Sequence, residues 1–159
     1  MDRFNEEIYG KVLWECYRSK VYIVTLSLMY VLLGAAAVIW AMNEDQFLFY
    51  VLAVAVIFFC LWRINRVHHP VALICEKKLL VAVPWSFFTF DYYITFRALY
   101  MPVAYKDVAG VSSRWNHLYI GGREEGGLVS LPVQLAYVSR DGKYDFQNWV
   151  ESKQCEIGR

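Results

Sequence analysis

A chain of 159 residues has room for one small soluble domain beside a membrane segment, not for two. Its net charge of +1 excludes the basic excess expected of a nucleic-acid binder. Cys16, Cys60, Cys75 and Cys155 are scattered without a CxxC pair, which excludes zinc-finger spacing and a disulfide framework and leaves reduced thiols.

In residues 1–20, Phe4, Ile8, Val12 and Cys16 recur every four residues, with Leu13 and Tyr17 beside them. That spacing lines one face of a helix. Asp2, Glu6, Glu7, Lys11, Glu15 and Arg18 decorate the rest. The expected element is an amphipathic helix, either packed on the following domain or lying in the headgroup plane. Gly10 weakens it.

Residues 21–42 contain no charge and would rise about 33 Å as a helix, enough for a hydrocarbon core of roughly 30 Å. Residues 43–46 form a polar turn. Residues 47–62 are again uncharged and would rise about 24 Å. Neither run has the polar stripe of a core helix. Their Leu, Ile, Val and Phe side chains contribute roughly −3 to −6 kcal/mol per run toward insertion. The expected element is a two-helix transmembrane hairpin over 21–62. A cleaved signal peptide is not expected, because the apolar run is too long, begins late and lacks a small-residue cleavage pattern.

Arg3, Lys11, Arg18 and Lys20 precede the hairpin; Arg63, Arg66, Lys77 and Lys78 follow it; the turn carries Glu44 and Asp45. The positive-inside rule then places both termini in the cytoplasm. Tyr22, Trp40, Tyr50 and Trp62 are candidate interface anchors, and Tyr30 is too central for that role. Gly34, Ala35 and Ala37 belong to a small-residue surface suited to helix packing, first of all against the second span.

Residues 63–69 read as a juxtamembrane linker whose Arg63 and Arg66 suit anionic headgroups. His68 and His69, adjacent in an extended segment, would point to opposite sides and make a poor chelate. Pro70 ends any helical continuation.

From residue 70 the periodicity changes. Residues 71–75 and 79–83 are short apolar runs around Glu76-Lys77-Lys78, a hairpin pattern. Residues 85–90, beginning with Trp85, are rich in aromatics. Residues 92–100 alternate strictly, a half-buried strand, and Asp91 and Arg97 make a third span expensive. Further strands are expected over 108–113, 117–121 and 128–135, with Pro132 marking an edge or bulge. Ser139 or Asp141 can cap a closing helix over about 140–153, with Phe146, Trp149 and Val150 on its apolar face.

Short strands followed by one amphipathic helix are the order of parts of a pleckstrin-homology-like (PH-like) barrel. The LICEKKLLVAV hairpin, the MPVAYKDVAGVSS segment and the YDFQNWVES helix, preceded by the apolar hairpin, resemble bacterial inner-membrane proteins that carry such a domain after a two-helix hairpin. The resemblance implies an α+β membrane protein: a transmembrane α-hairpin plus a small antiparallel β-barrel over 70–159, plugged by the C-terminal helix.

No catalytic motif is present: there is no HExxH, GxSxG or phosphate-binding glycine loop, and no cofactor or metal site is expected. Glu124 and Glu125 read as solvated loop acids, and Ser112, Ser113 and His117 as ordinary strand-end residues. Asp91 and Arg97 read as a surface pair. The expectation is a non-enzymatic, membrane-anchored interaction module. Arg63, Arg66, Lys77, Lys78 and Trp85 are candidate contacts to membrane lipid, and a protein partner or a second copy is the other occupant. An immunity-type protein or an accessory subunit of a membrane complex is the alternative. An enzyme acting on lipid is the least favoured of the readings.

Overall fold

The computed structural model describes residues 5–44, 46–82, 100–121 and 127–157. The described chain divides into a helical unit, Lys20–His69, and a β-rich unit built from Met1–Ser19 together with Pro70–Arg159.

The N-terminal segment departs from the helix expected over 1–20. A single helical turn, α1 (Glu6–Tyr9), is capped by the Asn5 side chain accepting from Glu7 N–H. It stops at Gly10, whose φ of +77° belongs to the left-handed region. Val12–Cys16 is then a strand, β1. A spacing of four residues satisfies a period of two as well as a helical one, so Val12 and Cys16 do not discriminate. Glycine at residue 10 decides the matter.

β1 pairs antiparallel with β2 (Ala72–Cys75), Cys16 opposite Ala72. Leu13 is the extra residue of a bulge, so Val12 stands opposite Cys75 while Trp14 stands opposite Ile74. β3 (Leu79–Ala82) and β4 (Tyr100–Val103) complete a sheet in the order β1-β2-β3-β4. A 3₁₀ turn, Tyr105–Asp107, leads to β5 (Val108–Val111), β6 (His117–Gly121) and β7 (Leu128–Pro132), a second antiparallel sheet. Among the described residues the strands form these two sheets and no closed barrel.

The C-terminal helix, α4 (Arg140–Ile157), starts where Ser139 Oγ accepts from Gly142 N–H at 3.2 Å. Phe146 and Val150 are buried, with Trp149 half-buried beside them. They close a core with Cys16, Ile74, Val81 and Leu118. Tyr105 fastens the first sheet: its buried hydroxyl lies 2.6 Å from the Cys75 carbonyl and 3.2 Å from that of Lys78.

In the helical unit, α2 (Lys20–Glu44) and α3 (Phe47–His68) are both long and apolar enough to cross a membrane. Their outer side chains, such as Val21, Leu32, Phe47 and Val54, are exposed. α3 runs through the segment expected as a linker over 63–69. Nothing before Pro70 breaks it, and His69 takes the extended backbone that a following proline favours.

Candidate functional site

The two helices meet along positions spaced alternately by three and four. Tyr30, Gly34, Ala37 and Ala41 on α2 are buried or half-buried, as are Phe49, Ala53, Val56 and Cys60 on α3. Such a seam is the pattern of a left-handed helix pair. Gly34 and Ala37 lie on it and Ala35 lies outside it. A Cβ at Gly34 would meet nothing within 4 Å, so this glycine is not a point of closest approach.

One end of the seam is polar. Arg63 Nε donates to the Tyr30 hydroxyl at 2.8 Å, and its guanidinium lies 5.5 Å from the centre of the Tyr30 ring. Ser27 Oγ lies 3.5 Å from His68 Nε2, and Asn65 Nδ2 lies 3.3 Å from His69 Nε2. The two histidines thus engage different neighbours. Among the described residues no cluster of three or more His, Cys, Asp or Glu could hold a metal.

The sequence-derived lipid contacts do not form one cluster. Arg63 and Arg66 belong to α3. Lys77 and Lys78 occupy the β2–β3 turn, at the opposite end of β2 from the residues that connect to the helices. There Lys77 Nζ donates to the Glu7 carbonyl at 3.3 Å, and the Lys77 backbone N–H donates to the Tyr9 carbonyl. Trp85, the aromatic run 85–90 and the acids Glu124 and Glu125 lie outside the described residues.

The β-rich unit carries a groove that the sequence did not reveal. It has a volume of about 370 Å³ and runs between β5 and α4. Val111, Trp115, Phe146 and Val150 supply apolar lining, and Gln147 and Glu151 stand on the helix side. Among the described residues that line it, Glu151 carries the only charged side chain. Its carboxylate accepts from Gln147 Nε2 at 2.9 Å.

Backbone direction in β5 follows from its pairing. Ser112 N–H donates to the His117 carbonyl at 2.9 Å, and Val111 is the next residue in register, opposite Leu118. Hydrogen-bonded and non-bonded pairs alternate along an antiparallel ladder, so the N–H and C=O of Val111 point away from β6. A bulge between Val108 and Gly110 turns the groups of Val108 outward too. These are satisfied: Val108 N–H bonds the Tyr105 carbonyl, and Gln154 Nε2 donates to the Val108 carbonyl at 2.7 Å and to that of Tyr105 at 2.9 Å. No described residue bonds the outward groups of Val111.

At the end of the groove Trp115 adopts a φ of +58°, a left-handed conformation rare for a bulky side chain. Ser112 holds the turn, its Oγ accepting from the backbone N–H groups of Asn116 and His117. Lys143 Nζ sits 5.7 Å from the Trp115 ring centre.

Comparison with protein-family models, with curated proteins and with solved structures finds no match to this chain.

Proposed function

We propose that this chain is a membrane-anchored interaction module without chemistry of its own: a PH-like β body tethered by a twice-spanning α-hairpin to the cytoplasmic face of a bacterial inner membrane. The observation that carries this reading is the insertion of two apolar helices between paired strands. β1 and β2 are neighbours in one sheet, yet the whole helical unit lies between them in the chain. A body whose strands flank the insertion stays on one side of a bilayer only if the insertion crosses an even number of times, and two helices meet that condition. The bases before and after the hairpin and the acids in its turn favour the cytoplasm for that side.

Tethering raises the effective concentration of any partner in the same membrane plane. Arg63 and Arg66, on the last turns of α3, are the bases suited to anionic headgroups. Lys77 supports the lipid reading less, because it is engaged with α1 at the far end of β2, where Lys78 follows it in the same turn. The open groove beside β5 favours a protein partner, which also accommodates an accessory subunit or an immunity protein.

Affinity capture of the full chain from native membranes in mild detergent tests the proposal. Co-recovery of a stoichiometric membrane protein or of a defined anionic lipid is the expected result. Recovery of the chain with neither contradicts it.

A further inference from the structure

We infer that Arg63 and Arg66 bind the phosphate of an anionic phospholipid from the leaflet next to the β body, with Tyr30 as the positioning residue that holds Arg63 below the ordinary headgroup plane. This deepens the lipid arm of the interaction-module reading and rests on the double crossing by α2 and α3.

Depth carries the argument. α3 rises about 24 Å between Phe47 and Arg63, against a hydrocarbon core of roughly 30 Å. The first charge of α3 is therefore met about 6 Å before the core ends. The uncharged run of α2 has no such deficit, at about 33 Å. With both helices crossing one bilayer, Arg63 lies within the apolar layer. Arg66, one turn further on, lies about 4.5 Å closer to its surface.

An arginine at that depth ordinarily snorkels along its stem toward the headgroups. Tyr30 opposes this. Arg63 Nε donates to the buried Tyr30 hydroxyl at 2.8 Å, and the guanidinium lies 5.5 Å from the Tyr30 ring centre. Phe59 braces that ring edge-on, with the centroids 6.3 Å apart. The guanidinium is kept beside the helix seam, so an anion has to come down to it. A neutral hydroxyl leaves its charge intact, and its planar fork suits a phosphate.

The layout selects a lipid over an acidic side chain of another helix. Arg63 and Arg66 share one flank of α3 and lead stepwise from the depth of Tyr30 toward the surface, a path for a headgroup. The Arg66 guanidinium lies 5.5 Å from the Trp62 ring centre, and tryptophan is an aromatic that settles at headgroup level. The other flank is a groove between Gly34 and Val38 on α2 and Ile57 and Leu61 on α3. Among the described residues that line it none is charged, so it offers an anion nothing.

The test follows lipid retention by native mass spectrometry of the full chain in mild detergent, titrated with phosphatidylglycerol and, separately, with phosphatidylcholine. Phosphatidylglycerol is expected to be held saturably and about tenfold more tightly than phosphatidylcholine. Arg63→Leu should cut that preference about fivefold. Tyr30→Phe should cut it by a similar factor and the double variant no further, because the hydroxyl acts only through Arg63. Lys20→Gln, which removes a base outside the site, should leave the preference unchanged. Equal retention of both lipids by the parent chain, additive losses in the double variant, or the same loss from Lys20→Gln overturns the inference. So does a co-purified protein that replaces the lipid and is lost on Arg63→Leu, since the anion would then be a partner's carboxylate. A membrane partner captured equally by the parent chain and by Arg63→Leu, with no lipid preference in either, overturns the lipid site and leaves the module reading standing.

Discussion

Cys16 stands directly opposite Ala72 in neighbouring antiparallel strands, although residues 17–71 separate them in the chain. The Val71 N–H donates to the Cys16 carbonyl at 2.7 Å, so the strand ends are tied where the chain leaves for the helices and returns. In topological terms the helical hairpin takes the place of a β-turn. The β body is consequently not a domain that begins after the two apolar helices. Its first strand lies before them.

That relationship predicts an asymmetry between two deletions. Replacing residues 20–69 with a short Gly-Asn linker should give a water-soluble body that unfolds cooperatively, because Ser19 still donates to the Tyr137 carbonyl and Arg18 still reaches Gln134. Removing residues 1–16 should abolish cooperative unfolding, since it strips Tyr9 and Cys16 from the core and uncovers the β2 edge. Circular dichroism with thermal melting distinguishes the two. Equal stability of both products would refute the insertion topology.

Gly10 should not tolerate a side chain. A Cβ there would lie 2.8 Å from Glu76 Cβ, at a φ that alanine adopts only under strain. Glu76 also bonds Lys11 through its backbone N–H and its carboxylate. Gly10→Ala is expected to cost about 1–3 kcal/mol, read from denaturant midpoints.

Tyr105→Phe removes the hydroxyl that serves the Cys75 and Lys78 carbonyls in a buried site. The loss should be about 1–3 kcal/mol with the fold unchanged, because a buried acceptor is left unsatisfied. A melting temperature equal to that of the parent chain would show that water replaces the hydroxyl.

The thiols should separate by reactivity. Cys16 and Cys75 are buried, and that burial pushes them up to about 12 and about 11, from an ordinary 9.0. Arg18 partly opposes the shift at Cys16. Cys155 is exposed. At pH 8 a maleimide should modify Cys155 first and leave Cys16 and Cys75 untouched until the chain unfolds. The sign for stability follows. Both folded values lie above the unfolded one, so their contribution is complete below pH 9 and is lost as the pH rises through 11–12. Denaturant midpoints should therefore be insensitive to these thiols near neutrality and fall in alkali.

Much of this architecture was legible in the residues, for physical reasons. Two uncharged runs leave few alternatives to long apolar helices, and Glu76-Lys77-Lys78 between apolar runs announced the β2–β3 hairpin. Pro132 marked an edge, and Phe146 and Val150 marked the inner face of α4. β1 was not legible, because every fourth position fits a strand as well as a helix and the bulge at Leu13 breaks simple alternation. The groove was hidden for a different reason. The direction of the Val111 amide depends on the register set by Ser112 and His117, which no local pattern encodes. Lys77 and Lys78 looked membrane-proximal by sequence distance, whereas β2 carries them away from its connection to the helices.

The central claim is that the helices cross a bilayer twice and hold every strand on one side. Its most direct measurement is labelling with a membrane-impermeant maleimide in intact cells, in a Cys155→Ser background, with single cysteines placed at Glu44 and at Lys77. The account predicts labelling at residue 44 from outside and at residue 77 only after the membrane is opened. Labelling of both from outside, protection of both, or release of the chain from membranes by alkaline carbonate would contradict it.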